Sequence, residues 1–381
     1  MSKETKSPDA RPARKPWWLV IGLLLVPAVS LLALWAMSEL DERTAESFWQ
    51  TFIAANKEID DRPSTVVYDP ELKMLAVGRE SGRLELWDPN QPGSRTAFQA
   101  HPWRTEFLAF GAKDGILLSN SRSGHPDRSD ERGTRIWDAR TGELLHALSD
   151  MIAPGPIAAS LRPGIYLIAD SDRLLIYDHA KRSLLRKALK FEGEVDALAV
   201  GAESDRIAVG TSDGLISIMR LVDQDGSPNL QISQQQPVSA EFRAQRIYAL
   251  MFVDQDRLIS ASQAHRDKQA PQVIEWDANN LQPRRSYNIT LQTVNWAGFT
   301  AGEPWLVLAG TYGKGKVELV DLNSGVAWRY RANSSHPRAA LLPDLGIGLI
   351  LQSGKARPIR YLAQERIWSE KQSQQTRVAE D

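Results

Sequence analysis

Cysteine is absent from all 381 residues. Disulfides, thiolate metal sites and cysteine nucleophiles are therefore excluded. A basic excess is missing too: 46 Lys and Arg stand against 47 Asp and Glu, a formal net charge of −1. Neutralising a phosphate backbone needs surplus cations, so no nucleic-acid partner is expected. The chain has no Gly-Lys-Ser/Thr phosphate loop and no His-Glu-x-x-His pair, the short signatures of nucleotide and zinc chemistry. No two of the 6 histidines have metal-ligand spacing. Asp223-x-Asp225-Gly226 is too short for a calcium loop and reads as a turn. No cofactor and no metal are expected.

Long uncharged runs are missing with one exception. Residues 17–37 form 21 positions without a charge. As a helix they would span about 31 Å, which matches a hydrocarbon core of about 30 Å. Trp17, Trp18 and Trp35 sit at the two ends, as interfacial anchors do. A cleaved signal peptide has a shorter apolar core and an Ala-x-Ala-like exit, where this chain has Leu34-Trp35-Ala36. The reading is one transmembrane helix. Lys3, Lys6, Arg11, Arg14 and Lys15 precede it and only Arg43 and Lys57 follow closely. The positive flank stays cytoplasmic. The polar tail 1–16 is thus expected inside, and the rest in the periplasm or outside. Residues 38–63 read as a helical stalk, with Phe48, Trp49, Phe52 and Ile53 at helical spacing and an end at Arg62-Pro63.

What is abundant is a repeated unit. Gly133–Leu145 reads strand, Asp138, polar turn ending in Gly142, strand. The Asp that closes the strand recurs in Trp87-Asp88, Trp137-Asp138, Tyr177-Asp178, Val222-Asp223, Trp276-Asp277 and Val320-Asp321, at separations of 50, 40, 45, 54 and 44 residues. A period in the forties with four short strands per unit is the signature of a β-propeller. The expected fold is all-β, a propeller over 64–369 with seven blades of four antiparallel strands, followed by a polar tail at 370–381.

The Trp-Asp endings, and His101 and His336 ahead of two units, resemble WD40 repeats, while the segment 320–330 is more similar to quinoprotein-like propellers. The WD40 resemblance implies structural roles for Trp87, Asp88, His101, Trp137, Asp138, Trp276, Asp277 and His336. In that family the histidine bonds within its own blade.

Candidate binding residues come from aligning the first strand of each blade, which lines the central channel. The equivalent position, four residues before the last apolar residue, is Ser64, Glu106, Ile157, Asp196, Tyr248, Asn295 and Arg338. Most are polar where a pure core strand would be apolar. The connections holding Trp103, Arg104 and His336, and charged inserts at 120–133 and 263–272, open on the same mouth. Charged loops of this length on a rigid scaffold often bind. The expected partner-binding set is Trp103, Arg104, Glu106, Asp196, Tyr248, Asn295 and Arg338, and the expected role is a membrane-anchored, non-catalytic docking scaffold for an envelope or membrane protein complex. The alternative is a metal-dependent hydrolase. Glu106, Asp196 and Asn295 could hold calcium, as similar carboxylate sets do in propeller lactonases.

Overall fold

A computed structural model describes Ser47, Thr51 and residues 61–368, apart from 92, 112–113, 122–132, 150, 202–204, 225, 238–244, 265–270, 292–293, 295, 300–304, 311–315, 332–337, 343–346, 353–354 and 363–366. The expected membrane helix, most of the stalk, Asn295, His336 and the C-terminal tail lie outside the described residues. Among the described residues, no helix is long and apolar enough to cross a membrane.

Alternating short strands and turns build the expected propeller. Blade one is β1 (Pro63–Asp69), β2 (Met74–Arg79), β3 (Arg83–Trp87) and β4 (Arg95–Gln99). Blade two is β5 (Phe107–Phe110), β6 (Ile116–Ser121), β7 (Gly133–Asp138) and β8 (Leu144–Leu148). Blade three is β9 (Pro154–Ala159), β10 (Ile165–Asp170), β11 (Arg173–Asp178) and β12 (Ser183–Lys190). Blade four is β13 (Val195–Val200), β14 (Arg206–Thr211), β15 (Leu215–Gln224) and β16 (Ser227–Pro237). Blade five is β17 (Gln245–Phe252), β18 (Arg257–Ala264), β19 (Gln272–Asp277) and β20 (Pro283–Tyr287). Blade six is β21 (Trp296–Phe299), β22 (Trp305–Gly310), β23 (Lys316–Asp321) and β24 (Ala327–Arg331). The last sheet is β25 (Arg338–Leu342), β26 (Ile347–Gln352), β27 (Lys355–Leu362) and β28 (Ile367–Trp368).

Every sheet is an antiparallel meander in sequence order. Six are full four-stranded blades. The expectation of seven blades is not met in full: among the described residues the outer strand of the last sheet has 2 residues, paired through Tyr361↔Trp368 and Leu362↔Ile367. The first strands pack side by side around the centre, and β25 meets β1. There Arg338 Nε donates to the Ser64 carbonyl across the closure.

The core lies between blades, because each sheet covers an apolar face of its neighbour. Leu84 and Leu86 of blade one pack with Phe110 and Trp137 of blade two. Leu167 and Leu174 of blade three pack with Ile207 and Met219 of blade four. Ile259 and Val273 of blade five pack with Leu306 and Val320 of blade six.

The recurring Asp has a physical cause. Its carboxylate accepts backbone N–H groups of the following turn, an Asx turn. Asp138 Oδ1 accepts from Thr141 N at 2.8 Å, Asp277 Oδ1 from Asn279 N at 2.8 Å, Asp321 Oδ1 from Asn323 N at 2.8 Å and Asp88 Oδ1 from Asn90 N at 2.9 Å. The fourth residue after Asp138 and Asp321 is a glycine in the left-handed region, Gly142 at φ 74° and Gly325 at φ 78°, where a side chain would be strained.

The Val222-Asp223 unit is corrected. Asp223 lies inside β15, paired with Pro228, and closes no turn. Blade four extends its outer hairpin past that point, and Asp223 instead accepts from Arg162 Nη1 of blade three at 2.6 Å. The channel register is corrected in blade three as well. β9 ends at Ala159, not Leu161, and the bulge that falls at Ser64, Asp196 and Tyr248 in their strands falls here at Gly155-Pro156. Ile157 lies in the core cluster between blades two and three.

Candidate docking face

Two faces of the ring differ in what they carry. One holds the turns between second and third strands together with the connections from each outer strand to the next blade. The other holds the Asx turns. The candidate residues fall on the first.

The connection 100–106 is tightly held there. Ala100 N and His101 N both donate to the Gly82 carbonyl at 3.0 Å, and Thr105 N donates to the Arg79 carbonyl at 3.1 Å. Gln99 Nε2 donates to the Ser81 carbonyl at 2.7 Å and to the His101 carbonyl. Gly82 has φ 82°, and a Cβ there would collide with the carbonyl oxygens of His101 and Trp103. Only glycine lets the loop lie this close. On this fixed backbone Trp103 is 41% exposed. In the next connection Ile152 stands at the matching position, the fourth residue after the outer strand, and is 60% exposed. Two apolar side chains therefore flank blade two.

The channel position carries two charged clusters. In the first, burial pushes the Arg338 guanidinium down to about 10, and the Arg104 charge acts in the same direction against Glu80 and Glu106. Arg104 lies 3.6 Å from Glu80. Arg338 thus feels the charges of two other expected residues, Arg104 and Glu106, but it is only 4% exposed and bonds the Ser64 carbonyl at the ring closure. Its placement in the docking set is not supported by that geometry. Ser64 Oγ likewise turns sideways, to the Thr105 carbonyl of blade two.

In the second cluster, Arg246 grips Asp196 with both donors of its fork, Nε to Oδ2 at 2.6 Å and Nη2 to Oδ1 at 2.8 Å. Glu194 lies 3.3 Å from the same guanidinium. The Asp196 bond is the main cause holding Arg246 above its ordinary range. Burial raises the neighbouring Tyr248 phenol, and Arg246 opposes it. Sequence reasoning missed Glu194 and Arg246. The available signal was spacing: each stands two residues before a channel position.

Both Asp196 oxygens are engaged by Arg246, and Asn295 of the set suggested for a metal lies outside the described residues. Among the described residues, no group of three His, Asp or Glu could hold a metal ion. On the same face, between blades three and four, lies an open groove of about 830 Å³ lined by Asp172, Lys190, Phe191, Glu192, Leu215 and Gln235.

Four of the residues given structural roles, Trp87, His101, Trp137 and Trp276, are buried in the blade interiors. His101 Nε2 and Trp137 Nε1 both meet Ser119 Oγ at 2.8 Å. Trp137 also packs 4.6 Å from the Phe98 ring of blade one. Trp276 Nε1 donates to Ser260 Oγ at 2.8 Å. Trp87 Nε1 donates to Glu85 Oε2 at 3.3 Å. Burial alone would raise the Glu85 carboxyl; Arg79 at 2.9 Å and Arg95 at 2.7 Å reverse this and hold it low.

On the opposite face, arginines staple successive blades. Arg162 reaches Asp223 at 2.6 Å, Arg206 Nη1 the Gln255 carbonyl at 2.6 Å, and Arg285 Nη1 the Asn323 carbonyl at 3.1 Å. Their donors serve the ring itself.

No protein-family model matches this sequence, and no curated protein matches it.

Proposed function

We propose that the chain is a non-catalytic docking platform held at a cytoplasmic membrane by residues 17–37, with its propeller outside the cytoplasm. The carrying observation is Trp103, exposed on a loop whose backbone is tied to Gly82 and Arg79. An aromatic anchor that is already ordered loses little entropy on binding, and such anchors with nearby arginines dominate interface energetics. Ile152 and the fixed charges of Arg104 and Glu80 supply the surroundings of such an anchor. The WD40-like bonding of His101, Ser119 and Trp137 fits a rigid scaffold. The engagement of Asp196 by Arg246 weighs against a metal-dependent hydrolase.

The test is co-purification from detergent-solubilised membranes. Trp103→Ala with Arg104→Ala should lose the partner, and each truncation of a central anchor is expected to cost about 2 kcal/mol or more. Arg140→Ala with Asn323→Ala, on the opposite face, should retain it. Retention by the first pair and loss by the second would overturn the assignment of the face.

A further inference from the structure

The place where the chain enters the propeller fixes which face looks back along the N-terminal segment. Asp61 Oδ1 accepts from Ser81 N at 3.1 Å, and its other oxygen accepts from Ser81 Oγ. Glu80 N donates to the Arg62 carbonyl at 2.9 Å. Arg79 Nη1 donates to the Asp61 carbonyl at 3.0 Å, while its Nη2 is held by buried Glu85 at 2.9 Å. The entry is therefore bonded to the second turn of blade one, and through Arg79 to the blade interior. That turn, at 80–82, is the one on which the Trp103 loop rests. Entry point and candidate anchor share one face.

From this we propose that the Trp103 face is turned toward the membrane, and that what docks there is a juxtamembrane segment of an integral membrane protein. The inference rests on the anchor reading of residues 17–37. Only 23 residues, 38–60, separate that segment from the clamp. At helical rise they reach about 34 Å. A strand of six residues is about 20 Å tall, so presenting the far face would require most of that reach simply to double back past the rim. The side of the fold that carries the exposed Trp103 and Ile152 then lies in the layer just above the bilayer, where membrane proteins expose their loops. Charge selects protein over lipid. Glu80, Glu192 and Glu194 are interspersed with Arg104 and Arg246 on this face, whereas attraction to anionic headgroups needs a run of one sign.

The absence of cysteine makes the full chain a ready background for single-cysteine labelling. Ile152→Cys and Glu192→Cys mark the proposed inner face, Arg140→Cys and Asn323→Cys the outer one, all at exposed positions. Each variant, in vesicles carrying an acceptor-labelled lipid, is read by energy transfer from a donor on the cysteine. Transfer should be clearly higher from 152 and 192 than from 140 and 323. Equal or reversed efficiencies in a membrane-held protein overturn the orientation. Alkaline extraction that releases the chain itself sinks the anchor reading, and the orientation with it. For the partner, a photo-crosslinker attached to the thiol of the Ile152→Cys variant in native membranes should capture a protein that resists alkaline extraction. Capture of an extractable protein, of lipid, or of nothing overturns the assignment of the partner class.

Discussion

Blades two and three are adjacent, similar in strand length and identical in topology, yet they fill the same interior in opposite ways. Blade two is polar at its centre: Trp137 donates to Ser119 Oγ, and the hydroxyl hydrogen is left to meet His101 Nε2. In blade three Tyr177 replaces the tryptophan. Ile168, opposite Leu175 as Ser119 is opposite Arg135, replaces the serine. The Tyr177 hydroxyl is buried with no hydrogen-bond partner among the described residues, and the ring stacks on His146 at 5.7 Å. Both blades nevertheless keep the Asx turn, since Asp178 Oδ1 accepts from Lys181 N at 3.2 Å. The turn is what the meander geometry demands. The interior network is one of several ways to fill the space behind it.

The largest effect should come from removing the polar solution. Trp137 is 5% exposed and packs across the blade boundary on Phe98. Trp137→Ala should lower stability by about 3–5 kcal/mol, the range for buried aromatic truncation, read from the denaturant midpoint of the propeller. An unchanged midpoint would mean that blade two does not depend on its triad.

The contrast also explains which parts were legible in the sequence. The Asp88, Asp138, Asp277 and Asp321 turns carry a fixed local chemistry within a few residues, and the period they set revealed the propeller. Trp-Asp, with His101 ahead of it, marked the triad of blade two. Legibility failed where hydrogen bonding overrode pattern. Val222-Asp223 has the right letters, but β15 runs on to Gln224. Counting back from an apolar end misplaced Ile157 because the apolar run outlasts β9. Ser64, Asp196 and Tyr248 share an equivalent bulge, but the direction of the side chains was not legible: Ser64 and Arg338 turn into neighbouring blades, and Asp196 is held by an arginine 50 residues away. Such pairings are long-range and leave no local trace.

A pH dependence should separate the blades next. Burial, with the nearby Arg135 charge adding to it, pushes His101 from 6.5 down to about 3. Between those values the unfolded chain binds a proton that the folded chain refuses. Stability contributed by this group is therefore complete above about pH 6.5 and is lost as pH falls toward 3, with a slope of at most about 1.4 kcal/mol per pH unit. His101→Gln should flatten that part of the stability–pH curve. Blade three offers no equivalent group, since no histidine enters its central position. If the variant and the wild type lose stability in parallel across this window, His101 is not the neutral buried ring the geometry describes.

The smallest effect probes blade three directly. Tyr177 is fully buried, and burial raises its phenol above the ordinary range. Among the described residues its oxygen has lost water without gaining a partner, a situation that costs about 1–3 kcal/mol relative to an apolar group of the same shape. Tyr177→Phe removes that oxygen and keeps the ring on His146 and Tyr166. The small gap left behind offsets part of the gain, so the expected outcome is a change between zero and about 1 kcal/mol in the stabilising direction. The opposite sign is expected wherever an aromatic donor is engaged, as Trp137 is. A loss of about 1 kcal/mol or more on Tyr177→Phe would show that the hydroxyl is bonded, and that blade three rebuilds with a tyrosine the polar centre that blade two makes with Trp137, Ser119 and His101.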